Sequence, residues 1–216
     1  MSRLGIVLAQ DRDGRISRLR NLELLHPLGA RGLVPQARAI LATDAVPGLL
    51  RPALETVLEE ITALEHKATA LRDELGRLAQ DSAAAQWLLT VPGIGILTAT
   101  ALVAFIGDIR RFRSGRDFAA YLGLTPREAS SGSVRRLGRI TKRGNPYVRM
   151  LLIHGARSAL RAGQVAAHPD DLRTRACALA DRKGYNLAAV ALANKLARVC
   201  WRVWTDRRPF TRREAA

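Results

Sequence analysis

The stretch LLTVPGIGILTATALVAFIGDI, residues 88–109, decides the fold class. An apolar segment is followed by a Pro-Gly-Ile-Gly turn at 92–95 and then by a long run rich in Ala, Leu and Val. This order is typical of a helix-hairpin-helix, in which a glycine turn opens a helix and leaves its first N–H groups for a DNA phosphate. A turn that only joins two core helices is the alternative. We therefore expect two helices here, with Gly93 and Gly95 as candidate nucleic-acid contacts.

Helical patterns continue on both sides of this stretch. Between residues 54 and 78, apolar side chains recur at alternating steps of three and four, which is the spacing of a two-stranded seam. The positions are Leu54, Val57, Ile61, Leu64, Ala68, Leu71, Leu75 and Leu78. They predict either a coiled coil, within or between chains, or a single amphipathic helix packed on its own domain.

The remaining segments also favour helices over strands. Apolar helices are predicted over residues 145–162 and 186–204, and no segment alternates convincingly like a strand. We therefore predict an all-α chain. Its divisions are short helices and turns at 1–46, a coiled-coil helix at 47–80, a domain with the glycine turn and a serine loop at 83–165, and helices that complete that domain at 166–216.

The charge of the chain points to a nucleic-acid partner. The 216 residues include 35 Lys and Arg against 19 Asp and Glu, a formal net charge of +16. Between residues 107 and 149, eleven Lys and Arg face three Asp and Glu, so a net charge of +8 falls in about a fifth of the chain. A GC-rich genome would explain the preference for Arg over Lys, but not the excess of bases over acids. The concentration indicates a functional patch.

Other site chemistries find little support in the sequence. Cys177 and Cys200 lie in helical patterns without metal-ligand spacing, and the four histidines show no such spacing either, so no metal site is predicted. The first residues lack the apolar region of a signal peptide, and the longest apolar run is too short to span a bilayer. We expect a cytoplasmic protein with no membrane partner.

The segment REASSGSVRRLGRITKRGN, residues 127–145, is the candidate site. It places Ser130, Ser131 and Ser133 among arginines and lysines in a loop punctuated by glycine. A serine hydroxyl can attack a phosphodiester if cations stabilise the charge that develops on the phosphate oxygens. From this chemistry alone, contact with a DNA backbone is the stronger interpretation. The candidate nucleic-acid-binding residues are Gly93, Gly95, Arg110, Arg111, Arg113, Arg127, Arg135, Arg136, Arg139, Lys142 and Arg143.

Several of these motifs together resemble a known family. The chain resembles, in the order and spacing of its motifs, the C-terminal half of bacterial transposases of the insertion sequence 110 family, with its IS116 and IS902 members. The motifs are the glycine turn, the arginine-rich turn at residues 110–116, the serine loop, the NPYVRMLLIHGARSAL segment and the NLAAVALANKLARVCWRVW helix. The resemblance covers residues 47–204. It implies a catalytic serine directly before the loop glycine, which is Ser131, with Ser130 as the second candidate.

The resemblance also implies partners and a second catalytic half. Family members carry an N-terminal RuvC-like domain with four acidic residues that hold Mg²⁺, and an RNA encoded by the element chooses the DNA sites. Here only about 46 residues precede the coiled-coil region. Asp11 and Asp13 lie in AQDRDGR and are not assigned as metal ligands. We therefore expect no cofactor in this chain, and Mg²⁺ only together with the family's acidic domain.

These implications lead to a functional expectation with alternatives. The chain is expected to be a DNA transposase that works through a phosphoserine, in the bacterial cytoplasm at the nucleoid, with DNA and guide RNA as partners and with self-association through the coiled coil. Alone, it is expected to bind nucleic acid but to cleave strands weakly or not at all. A non-catalytic DNA- or RNA-binding fragment that modulates full-length transposase is the first alternative. A scaffold without a nucleic-acid role is the second.

Overall fold

A computed structural model describes residues 33–43, 46–128, 130–131, 136–165 and 171–211. The expectation of an all-α chain is confirmed in the described residues, with one small two-stranded sheet added. The elements are α1 (Leu33–Leu41), α2 (Arg51–Gln80), α3 (Ala83–Leu89), α4 (Ile96–Ile106), α5 (Gly115–Tyr121), β1 (Pro126–Glu128), β2 (Leu137–Ile140), α6 (Pro146–Val165), α7 (Asp171–Lys183) and α8 (Tyr185–Asp206). Short 3-10 helices span Gly48–Leu50 and Ile109–Arg111.

The chain divides into two compact units, Met1–Glu74 and Leu75–Ala216, and the division falls within α2. In the first unit, α1 packs against the beginning of α2. Ala37, Leu58 and Ile61 are buried at this contact, and other apolar side chains of both helices lie partly buried around them. The first part of the predicted apolar stripe is therefore covered within the chain itself. A coiled coil with a second chain stays a prediction.

The second unit is organised around α8. The helices α3, α5, α6 and α7 all pack against it. The face of α8 that they cover is rich in alanine, with Ala188, Ala189, Ala193 and Ala197 all buried, and small side chains allow helix axes to approach closely. Gly115 at the start of α5 also allows a close approach to α8, because an added Cβ there would lie 3.1 Å from the Cα of Arg198.

The glycine turn is fixed by backbone contact with α6. Gly93 has a φ of +83°, a conformation that favours glycine, and an added Cβ there would lie only 2.5 Å from the carbonyl oxygen of Gly155. A Cβ added to Gly155 would in turn collide with the carbonyl oxygen of Gly93. The two glycines therefore let the turn and α6 touch through their main chains. The two helices expected around this turn are present as α3 and α4.

The small sheet lies in the segment that the sequence presented as a loop. The strands β1 and β2 pair antiparallel, with Pro126 opposite Ile140 and Glu128 opposite Leu137, and a bulge lies between these pairs. Every residue of β1 is exposed, as are the first three of β2. Neither strand enters the core, so no alternation of apolar and polar residues marks it in the sequence.

Among the described residues, none of the helices has both the length and the apolar character needed to cross a membrane.

Candidate nucleic-acid interface

The base of the hairpin formed by β1 and β2 is held by two glycines with positive φ. Gly123 has a φ of +70° and Gly144 a φ of +97°. A Cβ on Gly144 would collide with the carbonyl oxygen of Tyr121, and a Cβ on Gly123 would collide with the carbonyl oxygen of Arg143. The two chain segments therefore approach each other through main-chain atoms alone, which defines where the hairpin leaves the helical unit.

Side chains from two helices fasten this base. Arg149 on α6 donates a hydrogen bond from Nη1 to the carbonyl oxygen of Leu122 at 3.1 Å. Asn194 on α8 donates from Nδ2 to the carbonyl oxygen of Leu124 at 3.0 Å. Asn145, just after the hairpin, accepts from the N–H of Tyr147 at 2.9 Å and so caps α6. The exposed hairpin is thus attached to a buried helical frame.

The two candidate serines have different surroundings. The Ser130 hydroxyl donates to Oε1 of Glu128 at 2.8 Å and accepts from the backbone N–H of Arg136 at 3.2 Å. It therefore bridges the two arms of the hairpin beyond the last strand pair. Ser131 is exposed, and its hydroxyl has no hydrogen bond to any other described residue. The structure separates an engaged hydroxyl from an accessible one.

Cations line both arms of the hairpin. Arg127, Arg136, Arg139, Lys142 and Arg143 are all exposed, whereas Arg135 lies outside the described residues. Arg127 reaches across the hairpin, with Nη2 at 3.5 Å from the carbonyl oxygen of Thr141. Glu128 is the one acidic residue in the sequence between residues 126 and 143, and it faces Ser130. The described hairpin surface is therefore strongly positive.

A second group of arginines occupies the turn between α4 and α5. Arg110 is engaged with Asp108, whose carboxylate it meets through two nitrogens at 3.0 Å and 3.1 Å. The hydrogen bond from Arg110 holds the pKa of the Asp108 carboxyl below its ordinary value. Arg113 is exposed on the same turn. One of the predicted cations of this turn is thus partly neutralised by a local acid.

Arg111 is placed differently from its neighbours. Its guanidinium carbon lies 4.8 Å from the centre of the Tyr121 ring and 4.9 Å from that of the Phe112 ring, which are cation–π distances. Because the backbone of Tyr121 also contacts Gly144, the arginine-rich turn and the base of the hairpin meet at this tyrosine. The two basic segments that the sequence separates therefore share one surface.

The glycine turn offers one accessible backbone site. Gly95 precedes α4, is exposed, and an added Cβ there would meet no atom within 4 Å. Helices leave their first N–H groups without intrahelical partners, so this end suits an anion. A Cβ added to Gly93 would collide with Gly155, so of the two glycines only Gly95 has open space at that position. Contact of either glycine with nucleic acid stays a prediction.

Acidic residues, histidines and cysteines are the side chains that could hold a metal ion. Among the residues that the structure describes, no group of three or more His, Cys, Asp or Glu side chains is arranged to hold a metal ion. Of the two cysteines, Cys200 is fully buried, and burial raises the pKa of its thiol to about 12. Cys177 is partly buried, and burial also raises the pKa of its thiol.

Comparison with known proteins identifies one domain. Residues 85–169, which run from α3 through the glycine turn, the hairpin and α6, match the model of the transposase IS116/IS110/IS902 family. This segment is a transposase domain of that family. The matched segment, called the transposase domain below, contains both candidate serines and every candidate cation.

Individual relatives extend the likeness beyond the transposase domain. A "Probable family 20 transposase" of Pseudomonas aeruginosa is 41% identical over 81% of this chain and 54% of its own length. The "Transposase for insertion sequence element IS1111A" of Coxiella burnetii is 37% identical over 94% of this chain and 57% of its own length. A "Pilin gene-inverting protein" of Moraxella lacunata is 29% identical over 72% and 46%. The chain thus spans about half the length of the first of these curated relatives.

Sequence reasoning missed two parts of this surface. Glu128, which accepts the hydrogen bond of Ser130, was not singled out, although its spacing of two residues from Ser130 is visible in the sequence. In the sequence, Arg111, Arg110 and Arg113 are equal candidates for nucleic-acid contact. No sequence signal distinguishes them, because the ring contacts depend on how α5 returns to the turn.

Proposed function

We propose that the chain acts in DNA transposition, binding DNA across the hairpin and the arginine-rich turn and exchanging strands through the Ser131 hydroxyl. One observation carries the proposal: an accessible serine hydroxyl stands on a hairpin rimmed by exposed cations and fixed at its base to a buried helical frame. The names of the relatives support it, since transposases and a gene-inverting protein both rearrange DNA.

The contacts of the serines favour Ser131 as the nucleophile. The Ser130 hydroxyl already donates a hydrogen bond to Glu128 and accepts one from the N–H of Arg136. Attack by this oxygen would therefore disrupt the bridge between the hairpin arms. The Ser131 hydroxyl has no such engagement among the described residues. We assign Ser130 and Glu128 to positioning the segment that carries Ser131.

The proposed reaction is a phosphoryl transfer in two balanced steps. The Ser131 oxygen attacks phosphorus, the bond from phosphorus to one sugar oxygen breaks, the serine proton passes to solvent, and the departing sugar oxygen gains a proton. A sugar hydroxyl of another strand then attacks the phosphoserine, and Ser131 recovers its proton. Arginines such as Arg136 and Arg139 suit the non-bridging oxygens, because a guanidinium can bind two of them at once.

Two further partners belong to this proposal. Mg²⁺, where the reaction uses it, comes with an acidic domain of the kind that the family resemblance implies. A guide RNA that selects the DNA sites is implied in the same way. Both are expected to meet the chain at the transposase domain, whose cations suit phosphate from either DNA or RNA.

DNA binding is tested first, by fluorescence anisotropy of labelled duplex DNA at several salt concentrations. Each phosphate contact steepens the decline of log K with log salt by about 0.9. Arg139→Ala in the hairpin should weaken binding and reduce this slope by about 1. Arg161→Ala on α6 removes the same charge from an exposed position outside the hairpin and serves as the matched control. Equal losses for the two variants would contradict binding by the hairpin.

The covalent step needs a separate experiment. Labelled DNA that stays attached to the protein in a denaturing gel reports a phosphoserine. The chain is supplied with Mg²⁺ and with the acidic domain of a full-length transposase, because the chain alone is expected to cleave weakly or not at all. Ser131→Ala should then abolish this adduct, while Ser130→Ala should only reduce it. An adduct that survives Ser131→Ala but not Ser130→Ala would reverse the assignment. Duplex binding without any adduct, even when the acidic domain is supplied, would favour a non-catalytic binding role.

The exposed part of α2 favours the second role, that of a non-catalytic binding fragment, because it offers a surface for association. Leu64 and Leu71 on the predicted stripe are only partly buried, and Leu78 is 51% exposed. We propose that this stripe pairs with a second copy or with a longer transposase. Leu71→Glu should lower the mass measured by light scattering, whereas Ala70→Glu, at an exposed position beside the stripe, should not. A mass of one chain for the unaltered protein at all concentrations rejects pairing between copies.

A further inference from the structure

The ring contacts of Arg111 form a platform that is anchored in the core. Phe118 is fully buried, and its ring meets the ring of Phe112 edge to face with centres 5.1 Å apart. Trp201 on α8 donates from Nε1 to the carbonyl oxygen of Phe112 at 3.3 Å. The Tyr121 ring then meets Phe112 at 5.1 Å. The rings beneath Arg111 are therefore held in place by buried groups.

Arg111 is the outermost member of this arrangement. Its guanidinium lies over both Tyr121 and Phe112, yet the residue is exposed. Arg110 is engaged by Asp108, while Arg111 has no carboxylate partner among the described residues. Arg111 thus presents a planar cation to solvent at a position held by two rings.

We propose that Arg111 stacks an unpaired nucleobase on the accessible face of its guanidinium. Single-stranded nucleic acid is recognised by bases that stack on aromatic rings or on guanidinium planes, whereas the faces of bases in a duplex are covered by their neighbours. A guanidinium that is already orientated loses little conformational freedom when a base stacks on it. This inference rests on the proposed function, and it specifies an unpaired nucleotide as one of the ligands of the transposase domain.

Neighbouring cations suit the phosphates of such a nucleotide. The carbonyl of Tyr121 packs on Gly144, so the main chain directly after Lys142 and Arg143 lies beside the platform. Both side chains are exposed, and Lys142 takes a left-handed φ of +57° at the start of this tight segment. Stacking on Arg111 and phosphate contact at residues 142–143 would therefore act on the same stretch of strand.

The experiment compares two substitutions that keep the charge. Arg111→Lys removes the planar group from the platform. Arg161→Lys makes the same change on α6, at an exposed residue that lies outside the hairpin and the arginine-rich turn and has no ring contact among those described. Binding of a short single-stranded DNA, an RNA of the same sequence and the matching DNA duplex is measured by anisotropy. A fluorescent adenine analogue in each strand reports stacking directly, because stacking quenches it.

The expected result is specific to unpaired strands. Arg111→Lys should weaken single-strand binding by about tenfold, the scale of losing one stacked base, and should abolish the quenching. Arg161→Lys should change affinity by about twofold or less. Duplex affinity and the salt slope should change little in either variant, because both keep their charge. The DNA and RNA arms show which strand is preferred.

Four results would overturn the inference, and they differ in what else they reject. Equal effects of the two lysine variants on single strands would show that Arg111 acts only as a charge. An equal loss on duplex and single strand for Arg111→Lys would place its contact on the phosphate backbone. Failure of the unaltered chain to bind any nucleic acid would reject the proposed function itself. Duplex binding with a normal salt slope but no quenching would reject the stacking site alone.

Discussion

Replacing each glycine of the Pro-Gly-Ile-Gly turn by alanine separates packing from nucleic-acid contact. A Cβ at Gly93 would lie 2.5 Å from the carbonyl oxygen of Gly155 and 3.1 Å from the Cβ of Ala159. Such overpacking costs about 1–3 kcal/mol, and the φ of +83° costs an L-residue about 1–2 kcal/mol more. We therefore expect Gly93→Ala to lower the free energy of unfolding by about 2–5 kcal/mol.

The matched variant is Gly95→Ala. An added Cβ at Gly95 meets no atom within 4 Å, and its φ of −94° suits any residue, so the free energy of unfolding should change by less than about 1 kcal/mol. If the start of α4 contacts a phosphate, as the proposed function requires, this variant should instead weaken binding of duplex DNA.

Thermal unfolding followed by circular dichroism measures the difference in stability. A loss of about 3 kcal/mol in a unit of this size lowers Tm by about 10 °C, so Gly93→Ala should melt well below Gly95→Ala. The reasoning would be refuted by a Tm for Gly93→Ala within about 2 °C of the unaltered chain, because the contact with Gly155 would then not constrain the turn. Equal falls for both variants would refute it as well.

Three further predictions concern single residues, namely Asn194, Asp108 and Cys200. Asn194→Ala removes the hydrogen bond to the carbonyl of Leu124 and should lower the free energy of unfolding in urea by about 1–2 kcal/mol; an unchanged midpoint would contradict this anchor. The pKa of the Asp108 carboxyl, measured by NMR, should lie below the value of about 3.9 for a free Asp. The stability from its pair with Arg110 is therefore present above that pH and is lost as the pH falls. Arg110→Ala should restore an ordinary pKa. The thiol of Cys200 should resist iodoacetamide at pH 8 in the folded protein and react after denaturation, as mass spectrometry can show; rapid labelling of the folded chain would contradict its burial.

The sequence was informative wherever helices bury a face. The apolar spacing over 54–78 predicted α2, and the run at 186–204 predicted α8, whose observed bounds are Tyr185–Asp206. Both signals arise because side chains at helical spacing share one buried face. The same reasoning could not predict the hairpin, because all of β1 and the first three residues of β2 are exposed. The hairpin is held instead by backbone contacts at Gly123 and Gly144.

The candidate site was predictable in composition but not in arrangement. The serines and cations of the hairpin could be proposed from their chemistry, whereas the bridge from Ser130 to Glu128 and Arg136 depends on the strand pairing. Gly93 shows the reverse case. The sequence predicts the turn, but it does not show that an added Cβ would collide at Gly93 and not at Gly95, because α6 approaches Gly93 from a distant part of the sequence.

Because the hairpin is exposed, substitutions in its strands can change binding without changing folding. Because its strands place no side chain in the core, a substitution at Arg127 or Arg139 leaves the packing of the helical frame unchanged. A library that varies these strand positions while Gly123, Gly144 and Asn194 stay fixed should yield folded proteins in nearly every clone. Differences in binding among such variants would then reflect recognition and not the loss of folded protein. The hairpin is therefore the part of the chain to vary when its binding preference is to be changed.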